Sequence, residues 1–120
     1  MTYTEKFEML ATAARARVEE VTPDQVDALI AAGAVVVDVR DKEEFDVDRI
    51  PGAVNVSRGT LEMRVESVIP DLGAAVLCYC NANHRGALST DTLRTMGYEN
   101  ARLIAGGLRA YRALAQADRG

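Results

Sequence analysis

The chain has 120 residues, enough for one domain with one hydrophobic core. Its composition, 48% hydrophobic and 27% charged, is that of an ordinary globular protein, and its net charge of −4 gives no general attraction to nucleic acid or anionic membranes. The apolar stretches are too short to span a membrane, nothing resembles a signal peptide, and two cysteines one residue apart do not form a secreted disulfide framework. We therefore expect a cytoplasmic protein, in which any anion site is built locally.

The N-terminal segment, residues 1–20, contains a predicted helix over residues 4–18. Its apolar side chains recur at three- and four-residue steps, at Phe7, Leu10, Ala14 and Val18. We predict that residues 1–20 form a helical extension that covers one side of a domain formed by residues 21–120.

The first half of that domain alternates between strands and helices. A short strand at residues 20–21 precedes the capping box Thr22-Pro23-Asp24-Gln25, which predicts a helix that Gly33 ends. The continuous apolar run over residues 34–39 is typical of a strand buried on both faces of a parallel sheet. We interpret Asp38 and Arg40 at its end as a supporting, structural pair, and we expect Asp41 to cap a short helical turn.

The second half repeats the alternation. We predict strands over residues 53–56, 74–79 and 101–104, and helices over 60–67, 87–96 and 107–114, with a frayed tail over 115–120. Strands that alternate with helices predict an α/β fold with a parallel sheet and helices on both faces. Ligands of such sheets bind beyond the carboxyl ends of the strands.

Cys80 stands at such an end, where an apolar run gives way to a polar loop and then to a helix. Loop amides and a helix N-terminus stabilise anions, including a thiolate. The alternative is a buried structural cysteine, but a loop with Asn81, Asn83, His84 and Arg85 would make a poor core. We therefore predict that Cys80 is a catalytic nucleophile.

The loop sequence, Cys80-Asn81-Ala82-Asn83-His84-Arg85-Gly86, resembles the active-site loop Cys-x-x-Gly-x-Arg-Ser of the rhodanese (sulfurtransferase) family. Here Asn83 replaces the glycine, and we expect it to keep a left-handed backbone. Gly86 replaces the serine and its hydroxyl. Three further blocks resemble the family in the same order: Asp38-Val39-Arg40, Arg49-Ile50-Pro51-Gly52-Ala53 and Gly106-Gly107-Leu108-Arg109-Ala110-Tyr111.

The resemblance implies a three-layer rhodanese-like fold with a central five-stranded parallel sheet. It also implies a sulfurtransferase without a cofactor, whose partners are a small anionic sulfur donor, such as thiosulfate, and a thiol or cyanide acceptor. The Cys80 thiolate would take the outer sulfur as a persulfide and then release it. The substrate-binding residues implied are Asn81, Ala82, Asn83, His84 and Arg85.

Several roles stay open at this stage. We expect Arg85 to steer the anionic donor, although it could pair with a carboxylate, and His84 could add charge or simply be exposed. Cys78 fits a core position better than a redox pair with Cys80, because a ring closed over one residue is strained. Cys78, Cys80 and His84 supply only three ligands, so we expect no metal site. We expect the Glu43-Glu44 pair to be solvated.

Two other functions compete with sulfur transfer. Phosphatases and arsenate reductases of this fold use a longer Cys-x5-Arg loop, whereas the spacing from Cys80 to Arg85 is Cys-x4-Arg. A binding or sensing module without activity is the other alternative, although family members of that class lose the catalytic cysteine.

Overall fold

The computed structural model describes the backbone of residues 3–119 and the side chains of residues 3–117. Helices and strands alternate along this part of the chain. They are α1 (Glu5–Arg17), β1 (Glu20–Val21), α2 (Pro23–Ala31), β2 (Val35–Asp38), α3 (Lys42–Val47), β3 (Val54–Asn55), α4 (Leu61–Val68), β4 (Val76–Tyr79), α5 (His84–Thr95), β5 (Ala101–Ile104) and α6 (Gly107–Arg119), with a 3-10 turn at Arg58–Thr60 before α4.

The five strands form one parallel sheet in the order β1-β5-β4-β2-β3. The strand that precedes Cys80, β4, is central, and its Cys78 pairs with Val37 of β2 and Leu103 of β5. The predicted α/β class and five-stranded parallel sheet are therefore confirmed. No helix among the described residues is long and apolar enough to cross a membrane.

Helices cover both faces of the sheet, and the two larger hydrophobic clusters lie one on each face. On one face, Leu61 and Val65 of α4 and Leu93 of α5 pack on buried side chains of the sheet. On the other face, Val26 of α2 and Leu108 of α6 complete the second core. Burial of these apolar side chains is what holds the three layers together.

Helix α1 packs along α5, but its buried face differs from the prediction. Ala11 and Ala14 are buried, whereas Leu10 is 63% exposed. Ala14 packs with Ala87 of α5 and Leu103, and small side chains let the two helices approach closely. The face is therefore set by alanines, which the hydrophobic spacing did not distinguish from the larger residues.

Two predicted helix boundaries were wrong. Helix α5 begins at His84, three residues before the predicted start, so that the last three residues of the predicted loop belong to its first turn. Helix α6 continues through Arg119 instead of fraying after residue 114, because the added residues include the strong helix formers Ala115, Gln116 and Ala117. Gly120 of the predicted tail lies outside the described residues.

Candidate active site

Cys80 lies at the carboxyl edge of the sheet, directly after β4 and four residues before the start of α5. A cavity of about 260 Å³ opens there. It is lined by Tyr3, the loop residues Cys80, Asn81, Ala82, Asn83, His84 and Arg85, and Arg109 of α6. The fold therefore brings Cys80 and the loop residues from Asn81 to Arg85 to one cavity.

The sulfur of Cys80 accepts a hydrogen bond from the backbone amide of Gly86, with an N–Sγ distance of 3.2 Å. This amide belongs to the first turn of α5, where N–H groups have no partner within the helix. The residue as a whole is only 2% exposed, so the sulfur lies in a site that largely excludes water. Those surroundings favour interactions between an anionic sulfur and amide donors.

Cys78 is a core residue, as the apolar pattern predicted. It is completely buried, and burial raises the pKa of its thiol to about 12. Both cysteines are free thiols. At neutral pH Cys78 therefore stays protonated and contributes packing.

The start of α6 forms hydrogen bonds to the backbone of the Cys80 loop. The amides of Leu108 and Arg109 donate to the carbonyls of Cys80 and Asn81, at 2.9 and 3.1 Å. The N–H of a trans peptide points opposite to its C=O, so the amides of Asn81 and Ala82 point away from α6. A Cβ atom on Gly107 would lie 2.2 Å from the Cys80 carbonyl oxygen, so only glycine allows this approach.

Asn83 does not adopt the left-handed backbone that we predicted for it. Its φ is −132°, and all described residues with positive φ are glycines. Its side-chain carbonyl accepts a hydrogen bond from the amide of Gly106 at 2.8 Å. Asn83 thus shapes the loop through its side chain, by a contact across 23 residues that local sequence does not reveal.

The guanidinium of Arg85 is paired with Glu44, which is the alternative of a carboxylate partner that the sequence left open. Its two terminal nitrogens donate to the two carboxylate oxygens at 2.8 and 3.1 Å. Hydrogen bonding to Arg85 is the main reason that the pKa of Glu44 falls to about 2. Glu44 is half-buried, so the prediction of a solvated Glu43-Glu44 pair was wrong at this position.

Asn81 connects this ion pair to a second one. Its side chain donates to Glu44 at 3.1 Å and accepts from Arg40 at 3.0 Å. Arg40 in turn forms a buried ion pair with Asp38 at 2.8 Å, which confirms the predicted pair at the end of β2. The two pairs fix the loop side chain of Asn81 between them.

Two residues of this network were not predicted from the sequence. The hydroxyl of Tyr79 donates to Asp38 at 2.6 Å and accepts from the amide of Ile50 at 3.1 Å. Glu44 was missed as well. Its position as the third residue of α3 could have predicted its capping box with Asp41, which is a local contact. A tyrosine inside an apolar strand signals only that its hydroxyl needs a partner.

His84 faces helix α1 and is not free at the surface. Its Nε2 lies 2.9 Å from a carboxylate oxygen of Glu8, and its ring centroid lies 4.3 Å from that of Tyr3 and 5.6 Å from that of Phe7. Within the part of the chain that is described, no three side chains cluster as metal ligands would. The N-terminal helix therefore contacts the active-site loop directly, which the helical spacing alone did not indicate.

Comparisons with known proteins agree with this geometry. The model of the rhodanese-like domain family matches residues 22–114. The chain is 32% identical over 73 residues to the thiosulfate sulfurtransferase PspE of Escherichia coli K12, covering 61% of this chain and 69% of that protein. It is 30% identical over 95 residues to the thiosulfate sulfurtransferase GlpE of Pseudomonas entomophila, covering 79% and 85%.

Solved structures show the same fold. A protein of unknown function from Rhodopseudomonas palustris, RPA3614, described as a "possible tyrosine phosphatase", superposes with a TM-score of 0.83 at 28% identity over 96% of this chain and 95% of that one. The human single-domain sulfurtransferase TSTD1 superposes with a TM-score of 0.71 at 29% identity, over 78% and 95%. From the family match, the relatives and the shared fold, we conclude that the chain belongs to the rhodanese-like family and is a rhodanese-type sulfurtransferase.

Proposed function

We propose that the protein transfers a sulfane sulfur from thiosulfate, or a similar anionic donor, to a thiol or cyanide through a persulfide on Cys80. The thiolate attacks the outer sulfur of thiosulfate, a new S–S bond forms, and the bond between the two donor sulfurs breaks to release sulfite. The acceptor then attacks the outer sulfur of the persulfide and returns the Cys80 thiolate. Charge and atoms balance in each step, and no cofactor is required.

The observation that carries this proposal is the hydrogen bond from the Gly86 amide to the Cys80 sulfur at the wall of the cavity. The persulfide, like the thiolate, is an anion at this place. Preorganised amides at the start of a helix stabilise both forms without moving. We assign the loop residues from Asn81 to His84 to donor binding, with Arg85 holding the loop through Glu44 and with Asp38 and Arg40 as supporting residues. A reducing compartment such as the cytoplasm would keep the cysteine available.

Phosphate hydrolysis is the second candidate, because RPA3614 is described as a possible tyrosine phosphatase. The loop length argues against it. Four residues separate Cys80 from Arg85, one fewer than in the Cys-x5-Arg loop that encloses a phosphate. The Arg85 guanidinium is also occupied by Glu44 and does not turn freely toward an oxyanion. Sulfur transfer needs neither the extra residue nor that arginine.

Intact mass after incubation with thiosulfate tests the proposal. The wild-type protein should gain one sulfur atom, and cyanide should remove it. Cys80→Ser should gain none, whereas Cys78→Ser, a matched change in the neighbouring core position, should gain it like the wild type. A folded, reduced wild-type protein that gains no sulfur but hydrolyses p-nitrophenyl phosphate would overturn sulfur transfer in favour of phosphatase activity.

A further inference from the structure

The arginines at and near the cavity differ in whether a carboxylate neutralises them. This difference indicates which of them an anionic substrate can bind. Arg85 is paired with Glu44 and Arg40 with Asp38. Arg112, which lines a neighbouring pocket together with Asn81 and Arg109, is paired with Asp48. Each of these pairs has little net charge, so each attracts an anion weakly.

Arg109 is the exception among these arginines. It lines the cavity together with Cys80, and its side chain is exposed. None of the ion pairs among the side chains of residues 3–117 includes Arg109. Its backbone is fixed, because its amide donates to the Asn81 carbonyl at 3.1 Å. This hydrogen bond holds the Cα atom of Arg109 next to the loop that carries Cys80, and it does not depend on what the guanidinium contacts.

We propose that Arg109 is the substrate-binding residue that recognises the anionic end of the sulfur donor, and that Arg85 instead holds the loop in shape. A planar guanidinium can donate two parallel hydrogen bonds to a sulfonate or carboxylate. In the reaction proposed above, on which this assignment rests, Arg109 would bind the sulfonate of the donor and then the departing sulfite. The selectivity of the site for anions would follow from one side chain that is in no ion pair within residues 3–117.

The test must separate anion recognition from sulfur transfer, and alkylation of Cys80 does so. Iodoacetate and iodoacetamide both transfer a carbon to the thiolate and release iodide, but only iodoacetate is an anion. We define the alkylation ratio as the iodoacetate rate divided by the iodoacetamide rate. In Arg109→Gln this ratio should fall about tenfold relative to wild type, while the iodoacetamide rate stays within about twofold of the wild-type rate. Arg109→Lys, which keeps the charge, should recover part of the ratio.

Arg94→Gln is the matched control, since it removes one positive charge from the last turn of α5, at the other end of that helix from the cavity. It should leave the ratio unchanged. Cys80→Ser should show no alkylation by either reagent, because Cys78 is buried and protonated.

Thiosulfate kinetics complete the test. Arg109→Gln should raise KM for thiosulfate about tenfold and leave the release of sulfur from the preloaded persulfide to a neutral thiol within about twofold. If Arg85→Gln lowered the alkylation ratio and Arg109→Gln did not, the assignment would be overturned, whatever the outcome for sulfur transfer. If the alkylation ratio changed as expected but no persulfide formed, the proposed reaction would be wrong, and the assignment of Arg109 to anion binding would still be supported.

Discussion

The guanidinium of Arg85 donates to both carboxylate oxygens of Glu44, at 2.8 and 3.1 Å, and so joins the first turn of α5 to helix α3. The same carboxylate accepts from Asn81, the residue after the nucleophile. Arg85 and Asn81, two residues of the same loop, thus both donate to one acidic side chain, which belongs to α3. This arrangement gives the loop a shape before any substrate binds.

The pair predicts a specific pH dependence of stability. Glu44 has a pKa lowered to about 2 in the folded protein, so its contribution is complete above its unfolded pKa and is lost as the pH falls toward 2. The Glu44 side chain is 32% exposed, so solvent screening limits the effect, and Glu44→Gln should lower the free energy of unfolding by about 1 kcal/mol at pH 7.

Urea unfolding at pH 7, 5 and 3.5 measures this difference between wild type and Glu44→Gln. The difference in free energy of unfolding should be equal at pH 7 and pH 5 and smaller at pH 3.5. Glu43→Gln, a change at the exposed neighbour, is the control and should differ little from wild type at any of them. A Glu44→Gln difference that grew as the pH fell would contradict the assignment of this ion pair.

The buried pair of Asp38 and Arg40 should matter much more to stability. Asp38→Asn leaves the guanidinium of Arg40, which is 4% exposed, without its counter-charge. Breaking one partner of a buried pair costs about 3–5 kcal/mol, and we expect a loss of that size in chemical denaturation. Asp46→Asn, which removes an exposed partner of Lys42, should leave the stability nearly unchanged, because solvent screens that pair. Equal losses for the two variants would refute this distinction.

Gly107→Ala tests the contact between α6 and the loop. Gly107 has a φ of +58°, and an added Cβ would lie 2.2 Å from the Cys80 carbonyl oxygen. We expect a loss of stability of about 2–3 kcal/mol and a fall in sulfur-transfer rate of about 100-fold, because the carbonyl that positions Cys80 must move. Gly59→Ala, where an added Cβ meets nothing within 4 Å, should change neither quantity appreciably. A normal rate in Gly107→Ala would show that the contact does not position the cysteine.

Gly86→Ser tests why the motif has glycine at a position where the resembling family has serine. A Cβ at this position would lie 2.8 Å from the Cδ1 atom of Leu103 and 3.5 Å from the Cys80 sulfur. The single variant should be destabilised by about 1–3 kcal/mol through overpacking.

Shortening the neighbouring side chain should relieve that crowding. Leu103→Val removes the atom in conflict, so the double variant should be more stable than the sum of the two single changes predicts, by at least about 0.5 kcal/mol. Thermal unfolding of all four proteins gives this coupling. Strict additivity would mean that Leu103 does not exclude serine.

The position of Cys80 could be predicted because it depends on local pattern. An apolar run ends at Tyr79, a polar loop follows, and a helix comes next, so the residue had to lie at the carboxyl edge of the sheet. The same reasoning placed Asp38 and Arg40 at the end of β2, two residues apart and within reach of one another.

Contacts between distant segments could not be predicted in this way. Glu44 and Arg85 are 41 residues apart, and His84 and Glu8 are 76 apart. A charged residue gives no local sign of which opposite charge it will meet once the strands are aligned. The sequence therefore did not show which carboxylate Arg85 meets, the expectation of a solvated Glu44 was wrong, and the contact of α1 with the loop was missed.

The hold that α6 has on the loop also limits how this protein could change its chemistry. The carbonyls of Cys80 and Asn81 and the side chain of Asn83 all have partners in the segment from Gly106 to Arg109. An inserted residue, which would lengthen the loop to the phosphatase spacing, must break one of these bonds or unwind the first turn of α5. Evolution or engineering toward a larger oxyanion would thus have to alter the Gly106-Gly107 segment together with the loop.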